Sequence, residues 1–169
     1  LRPEPGIALP ALAFIPETRS GEAYLYLHED GKQTDAGAGG PIETLVAQGH
    51  LVLAVDLRGF GESAVAPDGF GDVVSHSRDL YSLVRDSLGL ERIHVVAGDL
   101  GGAVAQDLSL RFPGFVDRML LFNCPVPYSR QEMAALRTQP DASALDFYLR
   151  QGREADALAA ELDSEAKRR

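Results

Sequence analysis

Short apolar runs alternate with helical patterns through the middle of this chain. The runs LVLAVDL (51–57), RIHVVA (92–97) and VDRMLLFN (116–123) have the length and composition of buried strands. Between them, residues 72–88 and 101–112 carry apolar side chains at helical spacing. Strands and helices that alternate over short connections are typical of βαβ units with right-handed crossovers. The pattern predicts an α/β fold with a mostly parallel sheet flanked by helices.

The first fifty residues extend this pattern towards the amino terminus. Residues 1–21 hold four prolines around one apolar piece, Leu12–Ile15, which predicts an irregular lead-in containing at most an edge strand. EAYLYLHE (22–29) is predicted to be a strand. Pro41 stands at a favourable first helical position before IETLVAQG, and Gly49 ends that helix.

The character of the chain changes after Pro125. Residues 129–169 contain only helical patterns, which predicts two parts: a strand-containing core over 1–125 and the start of a helical lid over 126–169. The sequence begins with Leu1 and ends in EAKRR without a Gly or Pro stop signal. We therefore expect a fragment that lacks the carboxy-terminal strands of its fold.

Composition excludes several functional classes. Sixteen Lys and Arg against 25 Asp and Glu give a net charge of −9, which disfavours binding to nucleic acid phosphates. No apolar run approaches the roughly 18 residues that span a bilayer, so no membrane partner is expected. The single cysteine, Cys124, rules out a disulfide within the chain and favours a reducing, cytoplasmic compartment. We interpret Cys124 as structural, and the sequence leaves the oligomeric state open.

The glycine-rich turns do not match nucleotide-binding motifs. GAGGPIE (37–43) and GDLGG (98–102) both fail the dinucleotide pattern G-x-G-x-x-G, and neither contains the G-K-[ST] of a P-loop. The consecutive HED at 28–30 points its side chains in different directions, which disfavours a metal site. We expect no cofactor and no metal.

AGDLGG (97–102) instead matches the pattern small-x-nucleophile-x-small of a nucleophile elbow, with Asp99 as the candidate catalytic residue. A strand that turns so tightly into a helix needs small residues on both sides, here Ala97 and Gly101. The backbone N–H of Leu100 is then free to donate to an oxyanion. The alternative is that Asp99 only caps the helix, because Asp is common at N-caps.

Residues 22–169 together resemble the α/β-hydrolase fold. Its epoxide hydrolase and haloalkane dehalogenase branch carries a D-x-R-G-x-G-x-S loop, matched by Asp56 to Ser63, and an Asp in the elbow, matched by Asp99. Residues 22–63 look closer to the esterase and peptidase branches of the same fold. The resemblance implies a hydrolase that acts on a small-molecule substrate.

In this branch the Asp nucleophile attacks a saturated carbon and becomes an ester, which a His-activated water then hydrolyses. The resemblance implies that Asp99 is the nucleophile and that the acid and the His follow the lid. All four histidines of this chain precede Asp99, and we interpret each as structural or exposed. HEDGK (28–32) replaces the family's oxyanion-loop motif His-Gly-x-Pro, and Asp30 is the implied second backbone donor.

Two departures bear on the substrate. Dehalogenases usually bind halide with Trp, one directly after the nucleophile, whereas here Leu100 stands there and the chain has no Trp. This favours an epoxide over a halide. LDFYLRQG (145–152) resembles a lid segment with a substrate-binding tyrosine, which implies Tyr148, or leaves Phe147 at that position if the register differs by one. An aromatic that packs within a helix is the alternative. An esterase-like hydrolase and an inactive binding domain remain the other functional hypotheses.

Overall fold

The computed structural model describes residues 6–67, 69 and 71–124, all of which lie in a compact unit that runs from Leu1 to Pro125. The prediction of a lid over 126–169 concerns residues outside this described part and stays a prediction.

Five strands of the described part form one sheet in the order β1-β3-β2-β4-β5. β1 is antiparallel to β3, and the other neighbours are parallel. The strands are β1 (Ala11–Phe14), β2 (Ala23–Leu27), β3 (Leu51–Val55), β4 (Ile93–Gly98) and β5 (Val116–Phe122). The helices are α1 (Pro41–Ala47), α2 (Val73–Tyr81) and α3 (Asp99–Arg111). The predicted α/β class with a mostly parallel sheet is confirmed.

The helices cover both faces of the sheet because alternate strand residues point to opposite sides. On one face, Leu25, Leu53 and Val95 pack against buried side chains of α2 and α3 such as Leu80 and Val104. On the other face, Val52, Ala54 and Tyr26 pack against Ile42 of α1. The continuous apolar run of β3 is explained by this burial on both sides.

Several element boundaries differ from those that the sequence predicts. The helix predicted over 72–88 is α-helical only to Tyr81 and continues as a π-helical turn, Ser82–Ser87. Apolar spacing does not separate these two hydrogen-bonding patterns, which differ by one residue per closed ring. The helix predicted from 101 begins two residues earlier, at Asp99. The apolar piece at 12–15 forms the edge strand β1.

The carboxyl ends of β2, β3 and β4 meet at one edge of the sheet. Three segments leave the strands there: the loop after Leu27, the loop after Val55 and the turn at Asp99. In open parallel sheets this edge is where ligands bind. Within the described residues, no helix is both long and apolar enough to cross a membrane.

Candidate active site

Asp99 occupies a strained position where β4 becomes α3. Its φ is +46°, in the left-handed region that few residues other than glycine adopt. The N-cap of α3 is Gly98, in an extended conformation, so Asp99 is the first residue inside the helix. Among the described residues, none forms a hydrogen bond to the Asp99 carboxylate, and the residue is exposed. The alternative in which Asp99 caps the helix is therefore wrong.

Glycines allow α3 to start this close to the sheet. A Cβ at Gly101 would lie 2.9 Å from Cβ of Leu27, which is closer than real Cβ atoms approach. A Cβ at Gly98 would overlap the Phe122 ring, and one at Gly102 would overlap Sγ of Cys124. The Cys124 thiol fills the space behind the turn, where burial and then the charge of Asp99 raise its pKa. Larger side chains on either side of Asp99, at Gly98, Gly101 or Gly102, would thus clash with neighbouring residues.

A cavity of about 220 Å³ lies beside Asp99. Apolar side chains form part of its wall, namely Leu27, Val55, Leu57, Phe60 and Leu100. The polar residues that line it are His28, Glu29, Asp30, Asp56 and Asp99. The cavity therefore combines a candidate nucleophile with both apolar and acidic surfaces.

The two predicted oxyanion donors, Leu100 and Asp30, line this cavity with Asp99. Leu100 is the second residue of α3, so its N–H has no acceptor within the helix. The N–H of Asp30 donates to Nδ1 of His28 at 3.1 Å. Asp30 can act on a substrate only if it exchanges that bond, and its role stays a prediction. Tyr148 lies outside the described residues.

His28 directly follows β2 and lines the cavity beside Asp99. Its Nε2 lies 3.8 Å from Oδ2 of Asp35, and the same carboxylate oxygen accepts a 2.5 Å hydrogen bond from the hydroxyl of Tyr26. Burial and this hydrogen bond raise the pKa of Tyr26 well above its usual range. His28 is thus a polar group in the cavity wall, and its ring lies near the carboxylates of Asp35 and Asp30.

Lys32 is buried beside Asp56, and no sequence motif indicated this role. Oδ1 of Asp56 accepts from the backbone N–H of Lys32 at 2.8 Å, and Oδ2 accepts from Nζ of Lys32 at 2.5 Å. The same Nζ contacts Oε2 of Glu62 at 2.6 Å. Burial acts to raise the pKa of Asp56, but the hydrogen bonds from Lys32 and Glu62 outweigh it and lower the pKa. An ionised Asp56 therefore ties the loop after β2 to the loop after β3.

A second buried pair anchors the loop after β3 to α2. Nε of Arg58 donates to Oδ2 of Asp79, and its terminal nitrogen donates to Oδ1, both at 2.6 Å. Ser63 closes the loop by donating to the carbonyl of Asp56 at 2.6 Å. These contacts give the Asp, Arg and Ser of the D-x-R-G-x-G-x-S pattern structural roles. The partner Asp79 carried no signal in the sequence.

His76 of α2 is buried behind the same loop. Its Nδ1 has no hydrogen-bond partner among the described residues, and the ring lies near Arg58 and Phe60. Burial lowers the pKa of His76, Arg58 lowers it further, and the carboxylates of Asp79 and Asp72 oppose this.

This burial predicts a pH-dependent stability. Because the folded pKa of His76 lies below the ordinary 6.5, the unfolded chain takes up the proton first as the pH falls. The free energy of unfolding is expected to fall below pH 6.5 by up to about 1.4 kcal/mol per pH unit from this residue. Urea unfolding at pH 7.5 and 5.5 measures the slope, and His76→Leu should reduce it. An unchanged slope in that variant would contradict the assignment.

The two remaining histidines lie at the opposite edge of the sheet. His50 directly precedes β3 and lies 3.3 Å from Glu22, while His94 is near the start of β4 and lies 3.5 Å from the same side chain. Tyr24 packs against both rings. These groups are therefore separate from the Asp99 cavity. Over residues 6–67, 69 and 71–124, no cluster of three or more His, Cys, Asp or Glu is arranged to hold a metal ion.

Comparison with known proteins places these features in context. A family model described as alpha/beta hydrolase fold matches residues 40–160. A 2-hydroxy-6-oxo-6-phenylhexa-2,4-dienoate hydrolase of Comamonas testosteroni is 32% identical over 111 residues, 62% of this chain and 37% of that protein. Epoxide hydrolase 3 of Xenopus tropicalis is 35% identical over 83 residues, 48% of this chain and 22% of that protein. The matched parts of the chain thus cover only 37% and 22% of the length of these two relatives.

Solved structures show the same architecture. An epoxide hydrolase from Bacillus megaterium superposes with a TM-score of 0.68 and covers 95% of this chain and 53% of its own length. At 21% sequence identity, this likeness shows a shared fold and carries no information about the substrate.

Proposed function

The chain belongs to the alpha/beta hydrolase fold family. On that premise, we propose that it is a hydrolase whose nucleophile is the Asp99 carboxylate, which attacks the saturated carbon of an epoxide. The observation that carries the proposal is the position of Asp99: left-handed backbone, no hydrogen bond from a described residue, and a cavity beside it. A backbone strained at one exposed polar residue is common at functional sites.

The reaction follows from the chemistry of a carboxylate. It needs no general base to become a nucleophile, unlike a serine hydroxyl. An Asp99 oxygen forms a bond to the epoxide carbon while the ring C–O bond breaks. The released oxygen keeps the electron pair of the broken bond and takes a proton from water, which leaves hydroxide. The product is a hydroxyalkyl ester on Asp99. The Leu100 amide would stabilise the oxyanion that forms when water attacks this ester.

Hydrolysis of the ester needs an activated water, which His supplies in many such mechanisms. No histidine follows Asp99 in this sequence. His28, which shares the cavity, holds the Asp30 amide through Nδ1. We therefore expect the 169-residue chain to form the ester and to hydrolyse it slowly.

Mass spectrometry of the intact protein tests this proposal. After incubation with styrene oxide, the folded chain should gain one epoxide mass, and peptide mapping should place it on the peptide that contains Asp99. Asp99→Asn should gain none, with a melting temperature close to that of the wild type, because Asn also tolerates positive φ. The absence of any adduct on folded wild-type protein would refute the carboxylate nucleophile.

An inactive binding domain and an esterase-like hydrolase, the two other functions considered, would each give a different result. An inactive binding domain would leave wild type and Asp99→Asn equally unmodified. An esterase-like site, which the resemblance of residues 22–63 favours, would show itself if the wild type hydrolysed p-nitrophenyl acetate and gained no epoxide mass.

A further inference from the structure

Phe60 is an aromatic side chain that the fold leaves exposed beside Asp99. Its exposed fraction is 53%, and it lines the same cavity as Asp99 and Leu100. Leaving a large apolar side chain in water forgoes the stabilisation that its burial would bring. Its role therefore lies in the cavity and not in the core.

The loop that carries Phe60 is held firmly. The N–H of Phe60 donates to the carbonyl of Leu57, and its carbonyl accepts from the N–H of Ser63, both at 2.9 Å. The next residue, Gly61, has φ +53°, and a Cβ there would overlap the Asp56 carboxylate. Phe60 thus stands at the tip of a tight turn whose backbone has little freedom.

Two buried contacts set the position of this turn. The Arg58–Asp79 pair fixes it to α2, and the Phe60 ring packs against the His76 ring, with centroids 6.2 Å apart and planes tilted by 58°. Phe60 is therefore supported by buried groups while still contributing to the cavity wall. A preorganised aromatic wall of this kind binds a flat apolar group without the entropy of ordering a mobile loop.

We propose that Phe60 determines substrate specificity by packing against an aryl substituent of the electrophile while Asp99 attacks the adjacent carbon. This inference rests on the proposed function and deepens it by naming the substrate class, an epoxide that carries an aromatic group. Aromatic pairs of this kind gain affinity beyond their buried area. Phe60 contacts the non-reacting part of the substrate. Removing its ring should therefore slow the reaction of epoxides that carry an aryl group and leave that of small epoxides unchanged.

The test compares two neutral epoxides, styrene oxide and propylene oxide. The rate constant for formation of the Asp99 adduct is measured with each epoxide. The ratio of the two rate constants cancels any change in Asp99 reactivity that affects both epoxides equally. Phe60→Ala should lower the ratio by about tenfold, and Phe60→Leu should lower it less. Leu110→Ala is the matched control, since Leu110 is 81% exposed and outside the cavity. Melting temperatures check that each variant is folded.

A second measurement does not depend on the chemistry. Binding of 1-phenyl-1,2-ethanediol and of 1,2-propanediol to Asp99→Asn protein is followed by NMR titration, with and without Phe60→Ala. The aryl diol should bind more tightly, and Phe60→Ala should weaken it by about tenfold while leaving the small diol within about twofold.

The outcomes separate the two proposals. If the wild-type adduct forms but Phe60→Ala leaves the aryl-to-small ratio unchanged, or slows both substrates equally, the role of Phe60 is overturned and the nucleophile stands. If no adduct forms but Phe60→Ala selectively weakens the aryl diol, the nucleophile fails and the aromatic wall remains. If neither a ratio change nor a selective binding loss is found, Phe60 has no part in recognition.

Discussion

Replacing Lys32 by methionine is expected to lower the free energy of unfolding at pH 7 by about 3–5 kcal/mol. The substitution keeps an unbranched side chain only one atom shorter but leaves the buried Asp56 carboxylate without its cation. Removal of one partner from a buried ion pair costs this much because the remaining charge keeps its desolvation penalty. Urea unfolding followed by circular dichroism measures the difference.

The pH dependence distinguishes this origin from a simple packing loss. Because the folded pKa of Asp56 is lowered below its ordinary 3.8, the stability it contributes is present above pH 3.8 and is lost as the pH falls through the folded pKa. In Lys32→Met the buried carboxyl takes up a proton at higher pH. The difference between wild type and variant should therefore be largest at pH 7 and smaller near pH 3.

A control exists within the same cluster. Glu62 also contacts Nζ of Lys32, but its side chain is 67% exposed. Glu62→Gln is expected to cost less than about 1 kcal/mol, as exposed ion pairs do. Equal losses in Lys32→Met and Glu62→Gln, or a Lys32→Met loss that does not vary with pH, would contradict the buried-pair account.

Replacing Arg58 by methionine should have an effect of similar size, about 3–5 kcal/mol. Both oxygens of the buried Asp79 carboxylate lose a charged donor, and the loop that carries Phe60 loses its anchor on α2. A bidentate Arg–carboxylate pair also has a geometry that Lys does not reproduce, so Arg58→Lys should restore only part of the stability.

The matched comparison for this variant is Arg85→Met. Arg85 pairs with Glu91 at 3.2 Å, but the Arg85 side chain is 37% exposed and that of Glu91 is 81% exposed. The expected loss is much smaller than that of Arg58→Met, because water screens an ion pair at the surface. If the double variant Arg58→Met/Asp79→Leu were no more stable than Arg58→Met alone, the uncompensated charge would not be the cause of the loss.

The helices and strands could be predicted because their signals are local. The run LVLAVDL predicts a strand buried on both faces, and β3 is buried in this way. Pro41 predicts a helix start, and it stands at the start of α1. The change to π-helical bonding after Tyr81 could not be predicted, since the apolar spacing fits either pattern.

The residues around Asp99 were identified from spacing alone, but their geometry was not. A small residue two positions away on each side is compatible with a tight elbow and with an ordinary capped helix start. Asp99 has a left-handed backbone, and no described residue forms a hydrogen bond to its carboxylate. The N-cap is Gly98, so Asp99 does not cap the helix. The Cβ of Leu27 and the Phe122 ring, which come from neighbouring strands, leave room only for glycine at positions 101 and 98.

By itself, the sequence determined the α/β class, the approximate extent of the elements and the position of the candidate nucleophile, because periodicity, prolines and small-residue spacing act over a few neighbours. Only the tertiary structure decided that Lys32 pairs with Asp56 and Arg58 with Asp79. These partners lie 24 and 21 residues apart, and any of the chain's many carboxylates could have served. The sheet order and the packing of α2 bring particular ones together, and burial then makes those contacts strong.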